Sequence, residues 1–237
     1  MFIYHSPKND ETAHILSARS RIQGGLYLPQ PTSIPILNWG QSADLSDYSS
    51  VLNREIVKNK LHSLIMLHNV GILVPPFWTH INDVPAYQYP ILGRRYNHSG
   101  GTDICLLKRG EVQYTDYYMK YIDKSAEFRV HVIGKTSFIS QKLPARKTDV
   151  CWNNRNGARF RDINIYQSAA ITHRIREIAH KATTALGYDF GAVDIIVGRY
   201  NDIYCLEVNS APALSDARIE KYIDLIKFNW DHLQEGE

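Results

Sequence analysis

The chain reads as an α+β protein in which antiparallel sheets carry helices on one face, and three observations support that class. Short alternating strands come in adjacent pairs: 127–133 with 136–141 across Gly134-Lys135, and 191–198 with 203–209 across a polar turn. Two long stretches, 167–186 and 217–233, repeat their apolar residues at helical spacing. The order lacks the strict strand–helix alternation of a doubly wound sheet, and neither GxGxxG nor GxxxxGK[ST] occurs.

Each element follows from its residues. Residues 1–50 mix short apolar runs with Gly24-Gly25, Pro29, Pro31, Pro35 and Gly40, and 34–39 reads as a buried strand. The spacing of Leu52, Ile56, Leu64, Ile65 and Leu67 predicts a helix over 51–69, with Gly71 as its stop. Residues 70–76 leave it extended, because residues preceding proline avoid the helical region. Residues 89–95 and 104–107 read as strands around the polar turn 97–102, and 117–122 as a further strand. Residues 142–163 form a polar stretch rich in Lys and Arg, a charged loop that could attract an acidic acceptor. Ile171, Ile175, Ile178, Ala182 and Leu186 make the stripe of the second helix, closed by Gly187. Ile219, Ile223, Ile226, Trp230 and Leu233 make that of the last.

With 237 residues the chain can hold one sizeable domain or two small ones. Hydrophobic residues at 44% and charged residues at 22% are ordinary for a globular protein. No apolar run reaches the length of a membrane span and the first residues lack a signal-peptide core, so a membrane role is not expected. Cys105, Cys151 and Cys205 are odd in number and far apart, which points to a reducing cytoplasm. A net charge of +3 gives no ground for specific nucleic-acid binding.

The chemistry concentrates in the hairpin GAVDIIVG (191–198) and IYCLEVN (203–209). A four-residue turn over 199–202 pairs Gly198 with Ile203 and sets Asp194 opposite Glu207, with Asn209 on the same face. Facing like charges destabilise a sheet unless a cation sits between them, and two carboxylates with an amide oxygen suit a hard ion such as Mg²⁺. A turn one residue different would send the two acids to opposite, solvated faces.

With these residues laid out, the chain resembles the ATP-grasp superfamily over about residues 55–215, especially ligases joining a carboxylate to an amine. D-alanine–D-alanine ligases and ligases adding glutamate to protein tails are of this kind. The motifs are AVD (192–194) with LEVNSAP (206–212), GILVP (71–75) after Asn59-Lys60, PILGR (90–94), HSGG (98–101), YMKYI (118–122), EFRV (127–130) and WNNRNG (152–157). The resemblance implies an ATP-grasp fold: two α+β lobes gripping ATP between antiparallel sheets. Residues 1–50 would be a reduced N-terminal region and 51–237 the ATP-grasp domain, its small lobe about 70–120 and its larger lobe about 121–237.

It implies Asp194, Glu207 and Asn209 as ligands for two Mg²⁺ ions, with Mn²⁺ as a substitute. Lys60, Arg94 and Arg129 would be the catalytic cations on the phosphates. Arg94 stands where the family carries lysine, and Arg95 is its neighbour. His98, Ser99, Gly100 and Gly101 would cover the phosphates. Lys120, Tyr121 and Ile122 would meet adenine, Asp123 the ribose, and Asn156 the phosphates and acceptor. The implied reaction is ligation through an acyl phosphate with release of ADP and phosphate. Its partners would be ATP, a carboxylate, an amine, an acidic peptide or protein tail, and a second copy completing the pocket. The alternatives are a kinase on the same scaffold and a non-catalytic ATP-binding module.

Overall fold

The computed structural model describes residues 1–30, 32–96, 104–153 and 156–234. In chain order the strands and helices are β1 (Phe2–His5), α1 (Asp10–Ser20), β2 (Gln23–Gly25), β3 (Ile36–Trp39), β4 (Val51–Leu52), α2 (Lys60–Asn69), β5 (Phe77–Trp78), β6 (Ile91–Arg94), β7 (Cys105–Leu107), β8 (Tyr117–Lys120), β9 (Lys124–Ile133), β10 (Thr136–Leu143), β11 (Arg159–Ile163), α3 (Ala169–Ala185), β12 (Phe190–Gly198), β13 (Ile203–Asn209) and α4 (Asp216–Gln234). They form a parallel sheet β2-β1-β3-β4 and two antiparallel sheets, β5-β8-β6-β7 and β11-β10-β9-β12-β13.

The five-stranded sheet divides its labour by side-chain alternation. On β9, Ala126, Phe128, Val130 and Val132 face the apolar layer beneath α3, where Val193, Ile195 and Val197 of β12 join them. Glu127, Arg129 and His131 therefore face the other way. α3 starts where the Ser168 hydroxyl accepts from the Ile171 amide at 3.2 Å, and it ends at Gly187, whose φ of 71° suits a residue without a side chain.

Part of the opposite face is covered by α4, whose Ile219, Tyr222, Ile223 and Ile226 pack with Phe190, Ile133 and the N-terminal residues Ile3, Leu37 and Trp39. One edge of α4 is tied down at Asp162 on β11. That carboxylate accepts from Ser140 (2.7 Å), Arg218 (2.9 Å) and Lys221 (2.5 Å).

Three expectations need correction. Residues 51–58 are not helical: Val51–Leu52 is the fourth strand of the parallel sheet, and α2 begins at Lys60 behind the Asn59 cap. The breaker is Asn53, at φ 55° with its side chain fully buried. Its Oδ1 accepts from the Asp189 and Phe190 amides at 2.8 and 3.2 Å, and its Nδ2 donates to the Phe190 carbonyl at 3.0 Å. The polar stretch 142–163 is also not one loop, since Lys142 and Leu143 end β10 and 159–163 is an edge strand. Finally, the hairpin turn holds five residues, with Val197 opposite Ile203 in place of Gly198.

Two predictions follow from these joints. Asn53→Gly keeps the backbone freedom and removes only the buried hydrogen bonds, so it should cost about 2–4 kcal/mol in urea unfolding; a loss below about 1 kcal/mol would disprove the joint. Asp162 feels burial, which raises its pKa, and its three hydrogen bonds, which outweigh burial and bring it down to about 2. A carboxyl depressed in the fold stabilises above its unfolded pKa of about 4 and loses that contribution as pH falls towards about 2. The stability gap between wild type and Asp162→Asn should therefore shrink by about half between pH 6 and pH 3; a constant gap would rule this out.

Candidate functional site

The cleft face of the five-stranded sheet carries a row of polar residues set by register. Asp162, Ser140, Arg129, Asp194 and Glu207 stand opposite one another on β11, β10, β9, β12 and β13. A second row holds Phe160, Lys142, Glu127 and Ile196. Asp194 does oppose Glu207, despite the longer turn, because the register shifts by one between Asp194 and Ile195 and leaves Leu206 as an extra residue. That bulge turns the alternation of β13 over: Ile203, Cys205 and then Val208 face the core, while Glu207 and Asn209 face the cleft.

Ion pairs knit the row together. Arg129 grips Asp194 with both Nε (2.8 Å to Oδ1) and Nη2 (2.9 Å to Oδ2). Lys142 Nζ reaches Asp194 Oδ2 at 2.9 Å and Glu127 Oε1 at 2.7 Å, and Lys124 takes the other Glu127 oxygen at 2.5 Å. Burial works against the charge of Asp194, but Arg129 and Lys142 outweigh it and hold the carboxyl below its usual range. The same balance runs in reverse at Lys142, where burial is overcome by Asp194 and Glu127 and the ammonium is held above its usual pKa.

Glu207 receives its partners from elsewhere in the fold. Lys60, the first residue of α2, donates to Oε2 at 2.8 Å, and Arg94 of β6 lies 3.8 Å from the same oxygen. A lysine in the first turn of a helix opposes the helix dipole, so its place there is explained by the carboxylate it meets. Asn209 Nδ2 donates to Glu207 Oε1 at 3.1 Å.

These groups line a cavity of about 470 Å³ between the two antiparallel sheets, within the range of small-molecule sites. Its lining includes Leu92, Ile104, Met119, Lys120, Tyr121 and Ile122, together with Lys8, Glu11, Thr12, Trp39 and residues 211–213. Among the described residues seven cationic and four acidic side chains line it, an excess that suits a polyanion.

The structure thus gathers Lys60, Arg94, Lys120, Tyr121, Ile122, Arg129, Asp194, Glu207 and Asn209 around one space. Arg94 faces it, whereas Arg95 pairs with Asp116 at 3.0 Å. Asp123 and Asn156 are not brought there. Asp123 pairs with Arg199 at 2.6 Å, and Asn156 holds its own loop through the Cys151 carbonyl. Asn153 and Trp152 line the cavity from that loop instead. His98, Ser99, Gly100 and Gly101 lie outside the described residues. Sequence reasoning passed over Glu127, Lys124 and Lys142; the clue for Lys142 was a lysine at alternating spacing on a strand that continues past Gln141.

The donor set fits a hard divalent ion in part. Asp194 and Glu207 offer carboxylate oxygens on adjacent strands, and Asn209 follows on the same face. Among the described residues no group of three or more His, Cys, Asp or Glu side chains assembles to hold a metal.

Residues 112–228 match the RimK-like ATP-grasp domain. The chain has the ATP-grasp fold. Among solved structures, the ATP-grasp ligase PsnB complexed with a phosphomimetic variant of its minimal precursor, Mg and ADP superposes with a TM-score of 0.69 at 11% identity, covering 97% of this chain and 98% of that one. The D-alanine–D-alanine ligase from Bacillus anthracis gives 0.69 at 15% identity, covering 99% and 97%. No curated protein sequence matches the chain. Among the described residues no helix is long and apolar enough to cross a membrane.

The two acids should behave differently when neutralised. Asp194→Asn leaves a buried lysine and a half-buried arginine without their shared anion and should cost about 3 kcal/mol. Glu207→Gln touches a partly exposed pair and should cost under about 1 kcal/mol. Equal losses in urea unfolding would contradict the burial difference drawn here.

Proposed function

We propose that the protein is an ATP-dependent ligase that joins a carboxylate to an amine through an acyl phosphate, releasing ADP and phosphate. The observation that carries this reading is the convergence of Lys60, Arg94, Arg129 and Lys142 on the row Asp194–Glu207, beside an apolar compartment against residues 120–122. The apolar lining suits a planar base, and the cationic lining suits phosphates. Phosphoryl transfer asks the protein chiefly for positioning and for neutralisation of charge on oxygen. Lys60 and Arg94 come from α2 and the four-stranded sheet, Arg129 and Lys142 from the five-stranded sheet, so phosphates between them would be held from both sides. Charge-assisted hydrogen bonds from such groups are the strong class.

Asp194, Glu207 and Asn209 would hold Mg²⁺, two ions in our reading, with Mn²⁺ as a substitute; when bound, it neutralises charge on the phosphates. The lining at Lys8, Glu11, Thr12 and Trp39 would receive the acceptor. The excess of cationic side chains lining the cavity would favour an acidic peptide or protein tail. Residues 98–101 would cover the phosphates, and Asp123 and Asn156 would need to turn inward to take their parts. A homodimer could complete the acceptor pocket. We place the reaction in the cytoplasm, on the three scattered cysteines.

The test is a screen of amine and carboxylate mixtures for ADP release, with mass spectrometry of the new amide. ADP release that depends on both partners supports ligation. ADP release with a stable phosphorylated product would indicate a kinase, and ATP binding without turnover a binding module. Glu207→Gln should abolish ADP release while its unfolding midpoint stays near that of wild type; unchanged turnover would refute the assignment of Glu207.

A further inference from the structure

Three cations meet a single aromatic ring beside the proposed phosphate site. The Phe160 ring centroid lies 5.5 Å from the Arg129 guanidinium carbon, 6.0 Å from Lys142 Nζ and 5.3 Å from the Arg218 guanidinium carbon. Phe160 stands opposite Lys142 in the β10–β11 pairing and lines the cavity. Cations within about 6 Å of a ring face are attracted by its quadrupole, more so where water is excluded.

The three cations differ in what else holds them. Arg218 donates to Ser140, Asp162 and Ser215 and is anchored without the ring. Arg129 and Lys142 both depend on one oxygen, Asp194 Oδ2, which each approaches to 2.9 Å. An Asp194 engaged by another partner could not keep both. Glu127 would still restrain Lys142 and attract Arg129, and the ring of Phe160 would still lie against both cations.

We propose that Phe160 is a positioning residue: its ring keeps Arg129 and Lys142 aimed into the cavity at the terminal phosphate of ATP. This rests on the ATP reading above. Phe160 touches no reacting atom in this scheme; it acts through the two cations. Its place is on the exposed edge strand, so the strand end of the sheet, and not only its centre, would set the geometry of the site.

The test compares wild type, Phe160→Leu and Phe160→Tyr as full-length proteins. Calorimetry with Mg²⁺ measures the affinity for a non-hydrolysable β,γ-imido ATP and for ADP, and thermal unfolding reports the fold. Phe160→Leu should weaken the ATP analogue about tenfold, leave ADP within about twofold and keep the unfolding midpoint, since only the terminal phosphate loses its positioned cations. Phe160→Tyr, which keeps the ring, should restore the analogue to within about threefold. Equal weakening of both nucleotides, no weakening at all, or a tyrosine variant as weak as leucine would each overturn the inference while leaving ATP binding standing. Wild-type protein that binds neither nucleotide would overturn the ATP reading and this inference with it.

Discussion

Asp194 is the group on which the site turns. It sits on the central part of a sheet whose other face is the apolar core, it is 5% exposed, and it holds an arginine and a lysine on two neighbouring strands. Without an anion there, Arg129 and Lys142 would be two like charges in a place where water cannot screen them. With Asp194 and Glu127 between them, cations and acids alternate across the sheet, and the charged forms of Asp194 and Lys142 are favoured despite burial. The arrangement remains unbalanced in one direction, towards positive charge. A cavity lined in this way attracts anions.

The rigidity of the row derives from the strands beneath it. Arg129 lies between Phe128 and Val130, both fully buried, so its backbone cannot shift without disturbing the layer under α3. Lys60 and Arg94 are positioned differently, one by the Asn59 cap and the other by the four-stranded sheet. Glu207 is therefore the point where separately built parts of the molecule meet. Glu207 itself is partly exposed, as is Lys60, whereas Asp194 and Lys142 are almost sealed.

The sequence was readable where the pattern is local. Alternation along 127–133, the stripe of α3 and the pairing across Gly134-Lys135 all depend on neighbours within a few residues. It was misleading where a local pattern competed with a distant contact. Leu52 and Ile56 fit a helical stripe, but Asn53 bonds to Asp189 and Phe190 across 136 and 137 residues, and that joint breaks the helix. The parallel N-terminal sheet left almost no trace, because its strands have two to four residues and pair with partners brought back by turns and a short helix. Lys142 was legible as a lysine in a basic stretch and illegible as a buried ligand of Glu127, since only the register of β9 with β10 brings the two together. Arg94 was distinguishable from Arg95 by motif, and strand alternation then supplies the physical reason that only one faces the cavity.

The hairpin shows how a site can depend on an irregularity that simple pairing rules omit. A four-residue turn in an unbroken ladder places Asp194 opposite Glu207. The actual turn has five residues, and an unbroken ladder from Val197 and Ile203 would then set Glu207 opposite Val193. Opposed residues of an antiparallel pair share a face, and Val193 belongs to the apolar layer under α3, so the carboxylate would be driven into the core. The bulge at Leu206 cancels the extra turn residue before that point is reached. Downstream of it, Val208 replaces an odd-numbered residue in the core, and Glu207 and Asn209 emerge into the cavity beside Asp194. The additional residue is thus a structural requirement: it lets one strand supply core packing at Ile203 and Cys205 and charge at Glu207, which strict alternation forbids for residues of the same parity.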